Sequence, residues 1–468
     1  MPIDVGSILI DSYPIEVLKE LSVKQAINEH ATLKLQATLK SDIKDKPIYE
    51  AKENQLVTVQ SRKEGTEGEI IFTGIVEFVQ IRQFHSVYEI ELIAKSSTIL
   101  LDRQYRSRSF QNKAMKYIDV VKFCLKNYGK TDVICTAGQT KKTEQFILQY
   151  EETDWAFFKR LASHHHVGLV PEIQQAGIKF TFGLPKGGKK VLEETKYVLK
   201  KNLTDFMKFK LNEDDTIMDL DSFIYEIDTD ECFRIGDEVT FQGHTFVVSS
   251  IETFLYQANI VNRIQLRTKK GCYQPKQYHE KIIGLSIQGT VIEVKKDEVK
   301  LHLCIDPDQP VKIAHPLKYA TPYTAEGQSG WYFMPELGDT VFAYFPTRDE
   351  KDVFALHSLR TKNSGSDKTT DPDIKYLRTK YGKEIKFAKD EIVITCVDHE
   401  MYIKLNETSG IEIFSTKPIQ VNSHENISIQ SDKKINITAK DEIKLNAKMS
   451  LIQLSDDVLI QGKEVKHN

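Results

Sequence analysis

The 468-residue sequence has little with which to cross a membrane, hold a metal or grip a polyanion. No stretch approaches the roughly 18–20 consecutive apolar residues of a spanning helix. The opening MPIDVGSILIDSYP has no basic segment ahead of a long apolar one, so no secretory leader is expected and synthesis in the cytoplasm is. The six cysteines, Cys124, Cys135, Cys232, Cys272, Cys304 and Cys396, form no C-x-x-C pair, which excludes the usual zinc and redox motifs and fits reduced thiols. A net charge of −3 leaves no electrostatic footprint for nucleic acid. There is no G-x-S-x-G, no H-E-x-x-H and no P-loop. We therefore expect no cofactor, no metal site, no nucleic-acid partner and no enzyme.

What is present is alternation. Composition is that of an ordinary soluble chain, 40% hydrophobic and 28% charged, and the length suits roughly three domains. "HATLKLQATL" and "IFTGIVEFVQIRQFHSVYEIELIA" alternate apolar and polar residues as long antiparallel strands do. Helical spacing appears over "NKAMKYIDVVKFCLKNYG", ending at Gly129, and over "TDWAFFKRLASHHH". From 167 to 270 strands dominate the pattern. A separate strand set over 281–360, including "GWYFMPELGDTVFAYFP", suits a small barrel such as an OB-fold. Residues 361–375, rich in Ser, Thr, Asp and Gly, read as a linker.

The last segment, 376–468, carries an eight-residue period. Apolar pairs recur at Ile411/Ile413, Ile419/Val421, Ile427/Ile429, Ile435/Ile437 and Ile443/Leu445, and the first position continues at Leu451. Residues i and i+2 share a strand face, so each pair points one way and the polar remainder suits a turn. Two apolar side chains in eight cannot build a core alone; neighbouring repeats must stack. Either one chain winds a triangular prism with three octads to a turn, or three chains wind about a common axis. Eight octads give a solitary prism fewer than three turns with open edges, whereas a trimer makes about eight stacked apolar rings and exposes no long edge. The trimer is the preferred reading, with these residues as its core.

With that shaft in place, three upstream motifs resemble the hub-spike proteins of contractile injection machines: the VgrG proteins of type VI secretion, and the hubs and spikes of contractile phage tails and R-type bacteriocins. "LQYEETDWAFFKRL" is similar to the family's Q-Y-x-E-x-D-x-x-F-x-x-R-L segment through Gln149, Tyr150, Asp154 and Arg160. His164, His165 and His166 stand where the family has an acidic, Gly-containing stretch. Trp331, Pro335 and Gly338 match its W-x-x-x-P-x-x-G-D strand pair, and "TKYGKEIKF", with Gly382, its lead into a triple-stranded β-helix. The resemblance implies a mainly β chain with a few helices. Residues 1–275 would form a hub of tube-like β-barrels, 281–360 an OB-fold and 376–468 an intertwined triple-stranded β-helix. It implies a homotrimer that adapts a hexameric tail tube to a threefold spike. Its partners would be the tube, other baseplate proteins, a separate spike-tip protein and the target envelope, and its place a phage-tail-like particle. Neither a fused effector after the short C-terminal segment nor a lysozyme domain within 361–375 is expected.

Several residues invite sharper readings. Three consecutive histidines diverge on a helix or a strand and rarely converge on one ion, so His164–His166 read as a helix end. Trp331, Tyr332 and Phe333 could stack on bases, but the charge favours packing. His467 could place three copies on the trimer axis around a metal, although it lacks a second nearby His. The alternative function is a carbohydrate-active β-helical enzyme, which needs two carboxylates about 5–9 Å apart. Asp432, Asp441, Glu442, Asp456 and Asp457 lie instead at turns, several of them beside lysines.

Overall fold

Alternation becomes strands with one buried face. In Thr32–Leu39 the residues Leu33, Leu35, Ala37 and Leu39 are buried while Lys34 and Gln36 face out. The computed structural model describes residues 5–11, 13–40, 43–61, 68–325, 329–360 and 367–454, and it falls into two units, Met1–Lys362 and Asn363–Asn468. The fold is mainly β with few helices, and no described helix is long and apolar enough to cross a membrane.

The first unit is built on a 12-stranded sheet that contains one arrangement twice. In the first half the order is Leu56–Ser61, Glu69–Phe84, Val87–Lys95, Thr32–Leu39, Ile15–Ala26. In the second it is Glu238–Phe241, His244–Tyr256, Asn259–Arg267, Phe223–Thr229, Val198–Lys201. Each half centres on a long hairpin closed by a two-residue turn, with Phe84 opposite Val87 and Tyr256 opposite Asn259. Each hairpin also has a β-bulge at the same place, between Val76 and Phe78 and between Val248 and Ser250. A bulge adds a residue and increases twist, so both halves bend alike. They are joined within the chain where Ser22 to Ala26 pairs antiparallel with Phe254 to Ser250.

Between the halves in chain order lies a helical layer. Asp154–Ser163 starts where the Thr153 hydroxyl accepts from the Ala156 N–H, and it buries Trp155, Phe157, Phe158 and Leu161 against Tyr117–Leu125 and the strand Ile178–Phe182. Residues 167–270, where strands are expected to dominate, also hold a helix at Leu203–Asn212, capped by Asn202. Its apolar spacing is helical, but only Phe209 is buried, so the apolar pattern there is weak.

Five strands from Leu285 to Leu359 form a small antiparallel sheet that closes when Tyr319 bridges Ala355. Its core is not its own: Phe146 and Leu148, from far upstream, are packed inside it. Within "GWYFMPELGDTVFAYFP" only Thr340–Phe345 is a strand. The second unit begins with a five-stranded meander, Lys375–Arg378, Glu384–Phe387, Glu391–Val397, Met401–Asn406 and Gly410–Ser415. Its described part ends with the hairpin Ile443–Ala447 and Ser450–Leu454. Positions 416–442 hold no assigned strand.

Candidate functional site

Nothing among the described residues gathers three His, Cys, Asp or Glu side chains into a metal site, and their cysteines are all unpaired. Two other constructions stand out: a buried ionic junction in the first unit and an open apolar ladder in the second.

The junction is built by the residues of the Q-Y segment. Strand Ile147–Thr153 runs directly into helix Asp154–Ser163, so Gln149, Glu152, Asp154 and Arg160 meet at the corner. The Arg160 guanidinium donates to the Leu148 carbonyl at 2.7 Å, to Glu152 Oε2 at 2.8 Å and to Glu350 Oε1 at 2.8 Å. Glu350 Oε1 also accepts from the Leu148 N–H at 2.9 Å, which ties the small barrel to strand Ile147–Thr153. Burial pulls the Arg160 pKa down, but the Glu350 and Glu152 carboxylates outweigh it and hold the charge. Beside this, Asp154 accepts from Gln149 Nε2 at 2.9 Å and from the Tyr128 hydroxyl at 2.7 Å, and it pairs with Arg108. Every charge taken from water has a partner, as burial requires. The Tyr150 carbonyl is bonded to His279 Nε2 at 2.7 Å.

The three histidines part company at the end of that helix. His164 Nδ1 meets the Tyr117 hydroxyl at 3.1 Å, His165 packs edge-on against the Tyr117 ring, and His166 Nδ1 reaches the Gln274 carbonyl at 3.2 Å. Burial, with Arg160 and Lys276 nearby, pushes the His164 pKa down to about 3. It is a neutral packing residue.

The ladder follows from the meander's register. Directly paired residues share a face, so Ile385, Ile394, Ile403 and Ile413 line up across four strands, and Phe387, Ile392, Leu405 and Ile411 beside them. Gly382, at φ 77°, makes the turn that sets this register. The opposite face is polar and satisfied: Lys386 and Lys404 flank Glu391, Arg378 pairs with Glu384, and Tyr402 stacks on Phe414. The apolar face has no such cover, and Ile411 is 74% exposed. Beyond it Ile419, Val421, Ile427, Ile429, Ile435 and Ile437 are all at least half exposed within the chain. In the last hairpin Ile443 lies opposite Leu454 and Leu445 opposite Ile452, whereas Leu451 lies opposite Asn446 and so takes the other face. His467, Asp456 and Asp457 lie outside the described residues. Glu442 is bound to Lys444 at 2.6 Å.

The aromatic segment departs from the packing read in the sequence. Pro335 is buried and Gly338, at φ 88°, donates to the Val291 carbonyl, so these two shape the loop. Trp331, Tyr332 and Phe333 precede the strand on irregular backbone, which does not alternate them into the barrel, and all three stay exposed. The Trp331 and Phe333 rings meet edge to face.

Residues 24–179, which include the whole Q-Y segment but not Glu350, match the family profile described as phage tail baseplate hub (GPD). Over this third of its length the chain matches the baseplate hub family. The hub fold extends beyond that segment. The E. coli c3393 protein, described as a type VI secretion component similar in structure to the T4 tail proteins gp27 and gp5, superposes with a TM-score of 0.52. That match has 13% identity and spans 75% of this chain and 99% of that one. A chain of the half-lidded Francisella PdpA–VgrG complex gives a TM-score of 0.55 at 8% identity, over 88% of this chain and 87% of that one. At such identities the likeness is one of fold. No curated protein matches the sequence. Trp331, Pro335, Gly338 and Gly382 lie outside the matched segment.

Proposed function

We propose that this hub protein is the homotrimeric hub and spike of a contractile injection machine, and that it breaches the target envelope mechanically. In this reading 1–275 is the tube-like hub, 281–360 an OB-type collar, 361–375 a linker and 376–468 an intertwined β-helical needle. It joins a hexameric tube above to a threefold spike below, with baseplate proteins around it and a tip protein beyond.

The observation that carries the reading is the uncovered ladder. Contiguous exposed apolar surface on a soluble protein marks an interface, and here it repeats at the octad period. Three copies stacked about an axis bury it, and interwound chains cannot peel away singly, so the tip can bear force. The function needs stiffness and no catalytic group. The neutral His164 and the Lys-paired Glu442 fit that.

The test is absolute mass by light scattering on the full chain, wild type and Ile435→Asp. Wild type is expected at three chains per particle with a trypsin-resistant C-terminal segment. Ile435→Asp would set three carboxylates on the axis and is expected to abolish that resistance. A protease-resistant trimer from the variant would sink the needle.

A further inference from the structure

One strand beside the helical layer keeps a whole side of its backbone unspent. Thr131–Cys135 is the edge of a three-stranded sheet and, among the described residues, pairs only with Ile178–Phe182, in parallel. The Ile178 N–H donates to the Lys130 carbonyl and the Thr136 N–H to the Phe182 carbonyl, each at 3.0 Å. Alternate residues of a strand turn their backbone groups to the same side. Asp132 and Ile134 therefore face the partner strand, and the N–H and C=O groups of Thr131, Val133 and Cys135 face away from it. Among the described residues no hydrogen bond reaches those outward groups.

An open edge is a template for another chain, and proteins usually block it with lysine or proline in the strand. The five residues of this strand include neither. Val133 and Cys135 pack inward on the helical core, while Ile134 on the other face is 60% exposed.

Lysines stand beside the edge instead. Residues 113–142 carry seven of them against Asp119 and Asp132, in a chain whose net charge is −3. Among the described residues none of the seven makes an ion pair. Lys116 and Lys142 lie directly opposite each other in an antiparallel bridge, and like charges so placed cost stability. At the end of helix Tyr117–Leu125, Lys122, Phe123 and Lys126 are all exposed, with the Lys126 ammonium 5.6 Å from the Phe123 ring centre. Burial raises the pKa of the Cys135 thiol and the Lys122 charge works against it, which puts Lys122 beside the open edge. Positive charge that no internal carboxylate answers suits an acidic partner. A nucleic acid cannot pair with a strand edge, so edge and charge together select a protein.

We infer that Thr131–Cys135 is a docking edge for an extended acidic segment of another protein, which adds a fourth strand to this sheet. Alternate side chains of an added strand fall on opposite faces. Carboxylates on the face shared with Val133 and Cys135 would meet Lys122 and Lys126. Apolar side chains on the other face would line up with Ile134, where Asp132 disfavours a second acid. The edge thus selects acidic and apolar residues in alternation.

The test uses the full chain and a short fluorescent peptide of alternating valine and glutamate, read by anisotropy. Binding is expected at low salt and should weaken as salt rises, because exposed charges are screened. A fully N-methylated peptide keeps the side chains and loses the backbone donors, so it should bind at least about tenfold more weakly. Lys122→Glu with Lys126→Glu should weaken binding at least about tenfold as well, with circular dichroism and unfolding midpoint unchanged. Hydrogen exchange at the Thr131, Val133 and Cys135 amides should be fast in the free protein and slow with peptide. No binding, or equal binding of the N-methylated peptide, would overturn the docking edge. Protection of those amides before peptide is added would put a second copy on the edge, and tighter binding of duplex DNA than of peptide would make the partner a nucleic acid. Either result would also overturn it.

Discussion

Arg160 is the most heavily committed side chain in the first unit. Its guanidinium bonds one carbonyl and two carboxylates, one of them on the far side of the barrel boundary, and lies over the Phe157 ring. Ion pairs removed from water contribute little beyond an apolar replacement of the whole set, but removing one member strands the others. Arg160→Leu would leave Glu152 and Glu350 buried without their counter-charge. We expect a loss of about 3–5 kcal/mol in urea unfolding. Combining it with Glu350→Gln should recover part of that loss, because the two residues share a bond and their effects do not add. Equal losses that simply sum would show that the corner is ordinary surface. The sequence displayed this corner in part. Gln149, Asp154 and Arg160 were legible as a motif, but Glu350 and Arg108 come from distant segments and carry no local signal.

Strand Ile147–Thr153 shows how elements are shared. Ile147 points into the helical layer, and Leu148, like Phe146 just before the strand, points into the barrel. Alternation along one strand therefore stitches two cores. Leu148→Ala should cost about 2–5 kcal/mol. It should also lower the unfolding midpoint of the barrel and the rest of the first unit together, read as one transition by fluorescence and far-ultraviolet circular dichroism; two separated transitions would mean that the barrel stands alone. Element type was legible where period was strong. The helix Asp154–Ser163 announced itself by its cap and spacing. The helix Leu203–Asn212 did not, because its apolar residues face solvent more often than core. The duplicated half-sheet was hidden for another reason. What repeats is strand order, bulge position and turn length, which are backbone properties. Side chains shared at equivalent places are few, such as Val57-Thr58 and Val239-Thr240.

At the scale of the whole molecule, the proposed threefold assembly would change the arithmetic of a mutation. A substitution in a single folded chain acts once, and one at an exposed position usually shifts stability by within about 0.5 kcal/mol. Ile427 is more than half exposed in the isolated chain, so Ile427→Ala should then be nearly silent. In an interwound needle the same change removes three buried side chains from one ring. Each large-to-small replacement in a packed core costs about 2–5 kcal/mol, so the trimer should lose roughly three times that. Losses this large show as a lower dissociation temperature and a trimer that dissociates on dilution. Ile427→Val, which keeps most of the volume, should lose only about 0.5–1.5 kcal/mol per chain. A steep order, alanine far worse than valine, belongs to a buried ring. Equal and negligible effects would mean that the octads remain in water, and the apolar ladder would then need another partner to cover it.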